Sequence, residues 1–478
     1  MRIFDSRIQR IKHEVLRETA RYAMENRLSD ALTEIPHMLI TGEEATMRCC
    51  VYKERAIIGD RIRLAMGGNQ HNQNVIEVLP IACDECPVQR YEVTDMCRGC
   101  IAHPCEDTCH FGAISFGRRN QRAAIDSDKC AECGKCAAAC PYGAIISRQR
   151  PCERACKTKA VSQNLQKKAR IAEEKCVACG ACVIQCPFGA MMDKSDILTA
   201  VSILQNPDQT NIYAIIAPSF ACQFDYANLG QVIAGIKALG FTYVLEVALG
   251  ADMTAIEEAK ELTEKGFLLS SCCPAFVDYV KKFFPALQKH ISHTPSPMVM
   301  LAKHIKAKDP TAKVVFIGPC TAKKTEVNRA EVSAYVDCVL TFEELQALID
   351  SKNIDLNQLP MEMLDTASYF GRSFAASGGL SGAVAQAIKE QELAFSVRPL
   401  VCNGLEECKV ALLKASKGIL AENFVEGMAC VGGCIGGAGC LTHHKSDKAD
   451  IEKFSRQALS TTISGAIAQH GSLPKTQK

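Results

Sequence analysis

CAECGKCAAACPYGAI (residues 130–145) and CVACGACVIQCPFGAM (residues 176–191) repeat one spacing: three cysteines set two residues apart, then a fourth followed by proline. The tight CxxCxxC run lets one loop wrap three corners of a [4Fe-4S] cubane, while the fourth cysteine crosses to a second cluster. Pairing the two runs puts Cys130, Cys133, Cys136 and Cys186 on one cubane, and Cys176, Cys179, Cys182 and Cys140 on another. Eight more cysteines lie between residues 81 and 186. CRGCIAHPCEDTCHFGAI carries Cys97, Cys100, Cys105 and Cys109, PCERACKTKAV carries Cys152 and Cys156, and CDECP carries Cys83 and Cys86. As degenerate half-repeats they yield a third cluster from Cys97, Cys100, Cys105 and Cys156, and a fourth from Cys83, Cys86, Cys109 and Cys152. A zinc site of Cys83, Cys86, Cys97 and Cys100 is the alternative for the leftover pairs.

The rest of the composition sets bounds. The chain has 478 residues, 28 cysteines and a formal net charge of +2. That length allows several domains with a sizeable core, and the near-neutral balance argues against a dedicated nucleic-acid binder. The charged start MRIFDSRIQRIKHEVLRETARYAMENRLSD lacks the apolar centre of a signal peptide, and no run suits a membrane span. A cytoplasmic location is expected, where many cysteines point to metal chemistry rather than disulfides. Arg148 to Arg170 holds eight basic residues against Glu153 alone. Such a patch suits docking of a small acidic electron carrier, or simply balances anionic clusters.

Three segments are expected: a helical extension over 1–80, a ferredoxin-like multi-[4Fe-4S] domain over 81–200, and an α/β domain over 201–478. In the last, IYAIIAP, TYVLEVAL, FLLSS and KVVFIGP are apolar β-rich runs that lead into Gly, Pro, Ser or Cys, so functional residues should sit just past strand ends. In GADMTAIEEAKELTEKG, Asp252 or Thr254 could cap a helix ended by Gly266, with Glu258 and Glu261 on one face. Three further motifs carry cysteines: SSCCPAF (270–276), GPCTAKKTE (318–326) and EGMACVGGCIGGAG (426–439). One cysteine from each of the first two, with Cys430 and Cys434, makes a four-thiolate site. The adjacent Cys272 and Cys273 point to opposite faces of an extended chain, so only one of them serves comfortably.

In their order these motifs resemble the three signature sequences of the [FeFe]-hydrogenases, over about residues 200–440. The resemblance implies a two-lobed α/β domain holding an H-cluster, a [4Fe-4S] cubane joined to a two-iron subcluster with CO, cyanide and azadithiolate. It implies Cys273, Cys320, Cys430 and Cys434 as cubane ligands, with Cys434 shared between the two parts. It implies Cys272, Glu258, Ser292 and Glu261 as a proton relay, and Lys323, Pro218, Ser219 and Met428 as contacts to the cofactor. Glu326 and Glu426 are motif acids expected to be structural. The expected reaction is 2H⁺ + 2e⁻ ⇌ H₂, with ferredoxin or another small carrier as partner and maturation proteins supplying the two-iron unit. A hydrogen-sensing relative with slow turnover and a non-catalytic iron–sulfur carrier are the alternatives. Gly318, Phe276, Cys440 and Ser270 depart from the best-known members, as in a divergent subgroup; Gly318 suggests a roomier or differently packed two-iron pocket. Cys49, Cys50, Cys222, Cys338, Cys402, Cys408 and Cys440 receive no ligand role, most being expected in apolar interiors.

Overall fold

The computed structural model describes residues 4–118, 121–206 and 210–470. Its C-terminal half holds two all-parallel sheets. One has four strands in the order Tyr243–Glu246, Ile212–Ile216, Lys313–Gly318, Cys338–Thr341. The other has three, Leu268–Leu269, Phe424–Met428 and Pro399–Asn403, with Phe424–Met428 in the centre. Ile212–Ile216 is buried at every position, as a parallel strand covered by helices on both faces must be. The strands ending at Ile216, Gly318 and Met428 run directly into APS, PC and AC, and Leu269 runs into SSCC. The motifs therefore gather beyond the carboxyl ends of both sheets, where the chain leaves the hydrogen-bonded ladder and side chains are free to converge.

The helix Val247–Lys265 lies across this junction and ends at Gly266, whose φ of +72° suits glycine. It starts earlier than the sequence implies. Neither Asp252 nor Thr254 caps it: Asp252 accepts from the Ser368 backbone N–H and hydroxyl, and Thr254 donates to the Pro295 carbonyl.

The cysteine-rich region is built from two-stranded antiparallel pairs: Ile114–Phe116 with Ala123–Ile125, Val161–Gln163 with Ala169–Ile171, and Tyr91–Val93 with Ile145–Ser147. Short helices carry its inner cysteines, and they pack in two couples, Pro104–Asp107 with Lys135–Ala139 and Pro151–Ala155 with Ala181–Gln185. With so little apolar area, such modules rely on metal–thiolate bonds for stability. At the N-terminus, the helix Arg7–Met24 starts at Ser6, whose hydroxyl accepts from the Gln9 N–H at 3.1 Å, and packs against the helix Phe342–Ser351. Lys12 on that helix binds Asp193 at 2.5 Å and Glu343 at 2.6 Å, while Lys324 binds Asp193 at 3.1 Å and Glu344 at 2.9 Å. This buried network ties the N-terminal helix, the cysteine-rich region and the C-terminal domain together. Among the described residues no helix is long and apolar enough to cross a membrane.

Candidate metal centre

Cys273 and Cys320 each sit in extended backbone just ahead of a helix, Pro274–Phe283 and Thr321–Val327 respectively. Burial raises both thiols, Cys320 to about 11, with backbone N–H groups at the helix starts opposing. Cys434 arrives on the glycine-rich loop, where Gly432 and Gly433 both take φ of +89°. A Cβ at Gly433 would stand 2.8 Å from the Ser377 nitrogen, so the loop can approach only as glycine. Cys272, Cys273, Cys320 and Cys434 line one mostly apolar cavity with Pro218, Ser219, Lys323 and Met428. Cys430 adjoins it: burial, then the neighbouring Cys320, Cys273, Cys179 and Cys434, raise its thiol.

The donor set fits an anionic cluster carrying acceptor ligands. The Ser219 hydroxyl lines the cavity, is fully buried and has no partner. Lys323 Nζ reaches the cavity wall, held by Ser296 Oγ at 2.8 Å and Glu326 Oε2 at 2.6 Å, with the Cys272 carbonyl at 3.5 Å. Glu326 thus fixes the lysine. Glu426 is saturated by the Gly378 and Ser381 N–H groups and the Ser381 hydroxyl. The Gly318 pocket is differently packed rather than roomier: a Cβ at 318 would lie 2.6 Å from Cζ of Phe316, whose ring walls the cavity.

Glu258, Glu261 and Ser292 meet beside this cavity. Ser292 Oγ donates to Glu261 Oε2 at 2.6 Å and lies near Glu258 without a hydrogen bond to it. Glu258 Oε1 accepts from Ser271 N and Oγ, both at 3.1 Å, while its buried Oε2 has no partner. Burial raises Glu258 to about 7, the Ser271 bonds opposing. Glu261 is held below the usual carboxylate range: burial works against this, but Lys265, Ser292 and the His293 N–H prevail. It opens onto a surface cleft of about 730 Å³ with Glu257, Glu264 and His293. At the inner end, burial and then Glu258 push the Cys272 thiol up, so it stays protonated. Ser271, Ser296 and Phe316 escaped the sequence reading; only the adjacency of Ser271 to the vicinal cysteines could have flagged the first.

The cysteine-rich region regroups the expected clusters. Cys105 neighbours Cys100 and Cys140, with Cys97 in the same core; Cys136 neighbours Cys130 and Cys109, Cys133 completing that loop. Cys152 neighbours Cys186, Cys86 and Cys83, and Cys182 neighbours Cys179, Cys176 and Cys156. These neighbours differ from the expected sets in the fourth member of each, and they suggest a different grouping. Cys140 joins Cys97, Cys100 and Cys105; Cys109 joins Cys130, Cys133 and Cys136; Cys186 joins Cys83, Cys86 and Cys152; Cys156 joins Cys176, Cys179 and Cys182. The physical reason is the helix coupling: each half-repeat exchanges its last cysteine with the half it packs against, not with the half it most resembles. Cys83 and Cys86 have Cys152 and Cys186, and not Cys97 or Cys100, among their electrostatic neighbours, which favours a cluster over the zinc alternative. Among the described residues no three His, Cys, Asp or Glu side chains converge closely enough for a single ion.

Electrostatic neighbours link the groups to one another, as where Cys152 lies among those of Cys182. Glu132, in the Cys130–Cys136 loop, lies within electrostatic reach of Glu153 beside Cys152. At the other end Cys179 neighbours Cys273. There Thr321 Oγ1 donates to the Ala178 carbonyl at 2.7 Å, and a Cβ at Gly180 would overlap Ala438 of the glycine-rich loop. Of the cysteines without a ligand role, Cys49 and Cys50 are exposed, while Cys222, Cys338, Cys402, Cys408 and Cys440 are buried.

Comparison with known proteins agrees with this layout. Residues 210–438 match the model described as iron only hydrogenase large subunit, C-terminal domain. Residues 96–144 match a 4Fe-4S dicluster domain and 146–197 the LdpA Fe-S cluster-binding domain. The chain is 28% identical over 401 residues to iron hydrogenase 1 of Clostridium pasteurianum, covering 71% of this chain and 69% of that one. It is 28% identical over 440 residues to NADP-reducing hydrogenase subunit HndD of Solidesulfovibrio fructosivorans, covering 76% and 66%. It thus spans about two thirds of these relatives' length. Over a shorter 139 residues, 27% of this chain and 31% of that one, it is 33% identical to the cytosolic Fe-S cluster assembly factor NAR1 of Eremothecium gossypii. A solved [FeFe]-hydrogenase, studied for oxygen inactivation of the H cluster, aligns with a TM-score of 0.50 at 20% identity over 57% of this chain and 93% of that one, which shows the fold. The chain is therefore a divergent relative of the [FeFe]-hydrogenases, in which the catalytic-type domain of that family follows ferredoxin-like 4Fe-4S domains.

Proposed function

We propose that this protein is an [FeFe]-hydrogenase catalysing 2H⁺ + 2e⁻ ⇌ H₂. The observation that carries the reading is the placement of Glu261 and its partner Ser292 at a surface cleft, and of the buried Glu258 with its unpartnered Oε2 between them and Cys272 at the thiol-lined cavity. Cys273, Cys320, Cys430 and Cys434 would hold the H-cluster. Lys323 and the unpartnered Ser219 hydroxyl would bind its cyanides, and Pro218 and Met428 would pack on it. When bound, that group supplies the open iron site and the bridging amine for H₂ chemistry.

The chain's own residues deliver the proton. Glu261 collects it at the cleft, and Ser292 donates to one carboxylate while accepting from the other once Glu258 is protonated. With its acidity near neutrality, Glu258 can both take and release a proton under working conditions. Cys272 passes it into the cavity. The cysteines of the front region would hold [4Fe-4S] clusters that supply electron transfer, and Cys156, Cys176, Cys179 and Cys182 would hold the one beside Cys273. A small electron carrier and maturation proteins are the partners, and the cytoplasm the location, that this reading implies.

The test is hydrogen evolution from a reduced artificial donor after anaerobic maturation, comparing the parent with Cys272→Ala. Robust parent activity that collapses in the variant, with the cofactor retained, is expected. A loaded but nearly inactive parent would favour a sensor. The local match to NAR1 favours a second reading, an iron–sulfur assembly factor; failure to take up any two-iron unit would select it.

A further inference from the structure

Six lysines and arginines are buried among the described residues: Lys12, Arg61, Arg150, Lys323, Lys324 and Arg372. Four sit in ion pairs, Lys12 with Asp193 and Glu343, Lys323 with Glu326, Lys324 with Asp193 and Glu344, and Arg372 with Glu246 and Asp365. Among the described residues neither Arg61 nor Arg150 has a carboxylate within ion-pair distance, though Glu153 lies within electrostatic reach of Arg150. Nε and Nη1 of Arg61 and Nη1 of Arg150 have no hydrogen-bond partner at all. A desolvated, unpaired guanidinium is strongly unfavourable unless negative charge stands nearby.

Both arginines flank the same group of thiols. Arg61 Nη2 donates to the carbonyls of Phe188 and Gly189 at 3.3 and 3.4 Å, in the loop that leaves Cys186. A Cβ at Gly189 would stand 2.5 Å from that nitrogen, so the close approach needs glycine. Arg150 Nε donates to the Pro87 carbonyl at 3.3 Å, next to Cys86, and its Nη2 to the Lys167 carbonyl at 2.5 Å. Burial pulls the Arg61 guanidinium down to about 10, with Cys186 opposing, so it remains cationic at neutral pH. Of the nearby acids, Asp84 and Glu85 pair with Arg48 and Lys53, and burial raises Glu153 above the usual carboxylate range with Arg150 opposing. Among the described residues no fully buried arginine flanks the other groups; Arg90, over the Tyr91 ring by the distal thiols, has an unpartnered Nε but is half-buried. Arg98 and Lys129 beside the distal thiols are exposed, Arg122 pairs with Asp95, and Lys282 near Cys176 is exposed.

A cubane gains negative charge when reduced, and fixed cations in a low-dielectric shell stabilise that state. We propose that Arg61 and Arg150 make the Cys83–Cys86–Cys152–Cys186 cluster the most easily reduced of the four, a point where an electron is stored while the catalytic site awaits its second. This rests on the four-cubane reading above, which iron and sulfide content checks separately: content short of four accessory cubanes would fail that reading, not the role of the arginines.

The experiment is a redox titration followed by electron paramagnetic resonance on the cluster-loaded full chain, for the parent, Arg61→Met, Arg150→Met, the double variant, Arg61→Lys and the exposed control Arg154→Met. One accessory signal should reduce above the rest in the parent. It should shift to lower potential in each Met variant and further in the double, while Arg61→Lys and Arg154→Met leave it in place. No shift, an equal shift of all signals, or the same shift in Arg154→Met would overturn the proposal. Should Arg61→Met lose its clusters, Arg150→Met and Arg61→Gln read the same quantity.

Discussion

The two dicluster modules share a spacing and differ in setting. In the module nearer the C-terminal domain, the residues after Cys176, Val177 and Ala178, are buried against helices of that domain. In the distal module Ile101, directly after Cys100, is fully exposed, as are Met96 and Phe111 in large part. One module is welded into an interior and the other stands in solvent. The same thiol spacing therefore serves two physical tasks, and context rather than motif decides which residues are indispensable.

Cutting the weld should have the largest effect on stability. Lys324→Met leaves Glu344 without a cation in the interior and Asp193 with Lys12 alone, and should lower unfolding free energy by about 3–5 kcal/mol, measured by denaturant titration of the cluster-loaded chain. An exposed distal residue, Ile101→Ser, should change nothing measurable in the same titration. A large loss there would break the contrast.

The interior also holds a carboxyl with no cation, Glu258. Its folded acidity near 7 lies above the unfolded value of about 4.3. The unfolded chain therefore ionises first, and stability falls as pH rises between those values, levelling off above 7. Glu258→Gln removes the penalty: at pH 8 it should be more stable than the parent by on the order of 3 kcal/mol, shrinking to about 1 kcal/mol at pH 5. The same variant should lose at least about 100-fold in hydrogen evolution with cluster content intact. Equal stability at both pH values would show that Glu258 is not held neutral.

Two equivalent glycines sharpen the comparison further. Gly180 and Gly134 follow the second cysteine of their CxxCxxC runs with φ of +76° and +78°. A Cβ on Gly180 meets Ala438 on a neighbouring loop, whereas one on Gly134 meets the end of the Tyr91 side chain, which can move. Gly180→Ala should cost about 2–4 kcal/mol and slow electron delivery to the catalytic site, Gly134→Ala about 1 kcal/mol; unfolding and stopped-flow reduction check both. The smallest effect belongs to the exposed Lys157–Glu406 pair between the proximal module and the C-terminal domain, where Lys157→Ala should leave stability unchanged within error.

Much of this was legible in the sequence, for reasons that differ by element. Parallel strands announce themselves as continuous apolar runs ending in Pro, Gly or Cys, and the spacing of Cys130, Cys133 and Cys136 fixes a loop that can wrap a cubane. Which distant cysteine completes each set was not legible, because that depends on helix packing between halves whose sequences do not encode their neighbour. The same holds for Phe316: nothing in KVVFIGP says that its ring fills the space over Gly318. Arg61 and Arg150 read as ordinary helix or patch cations until their burial and their lack of partners are seen together.

The most direct test is infrared spectroscopy of the anaerobically matured chain alongside Cys272→Ala. The account requires carbonyl and cyanide bands in both proteins, with hydrogen evolution lost only in the variant. Absence of those bands from the matured parent, with its [4Fe-4S] clusters in place, would contradict it.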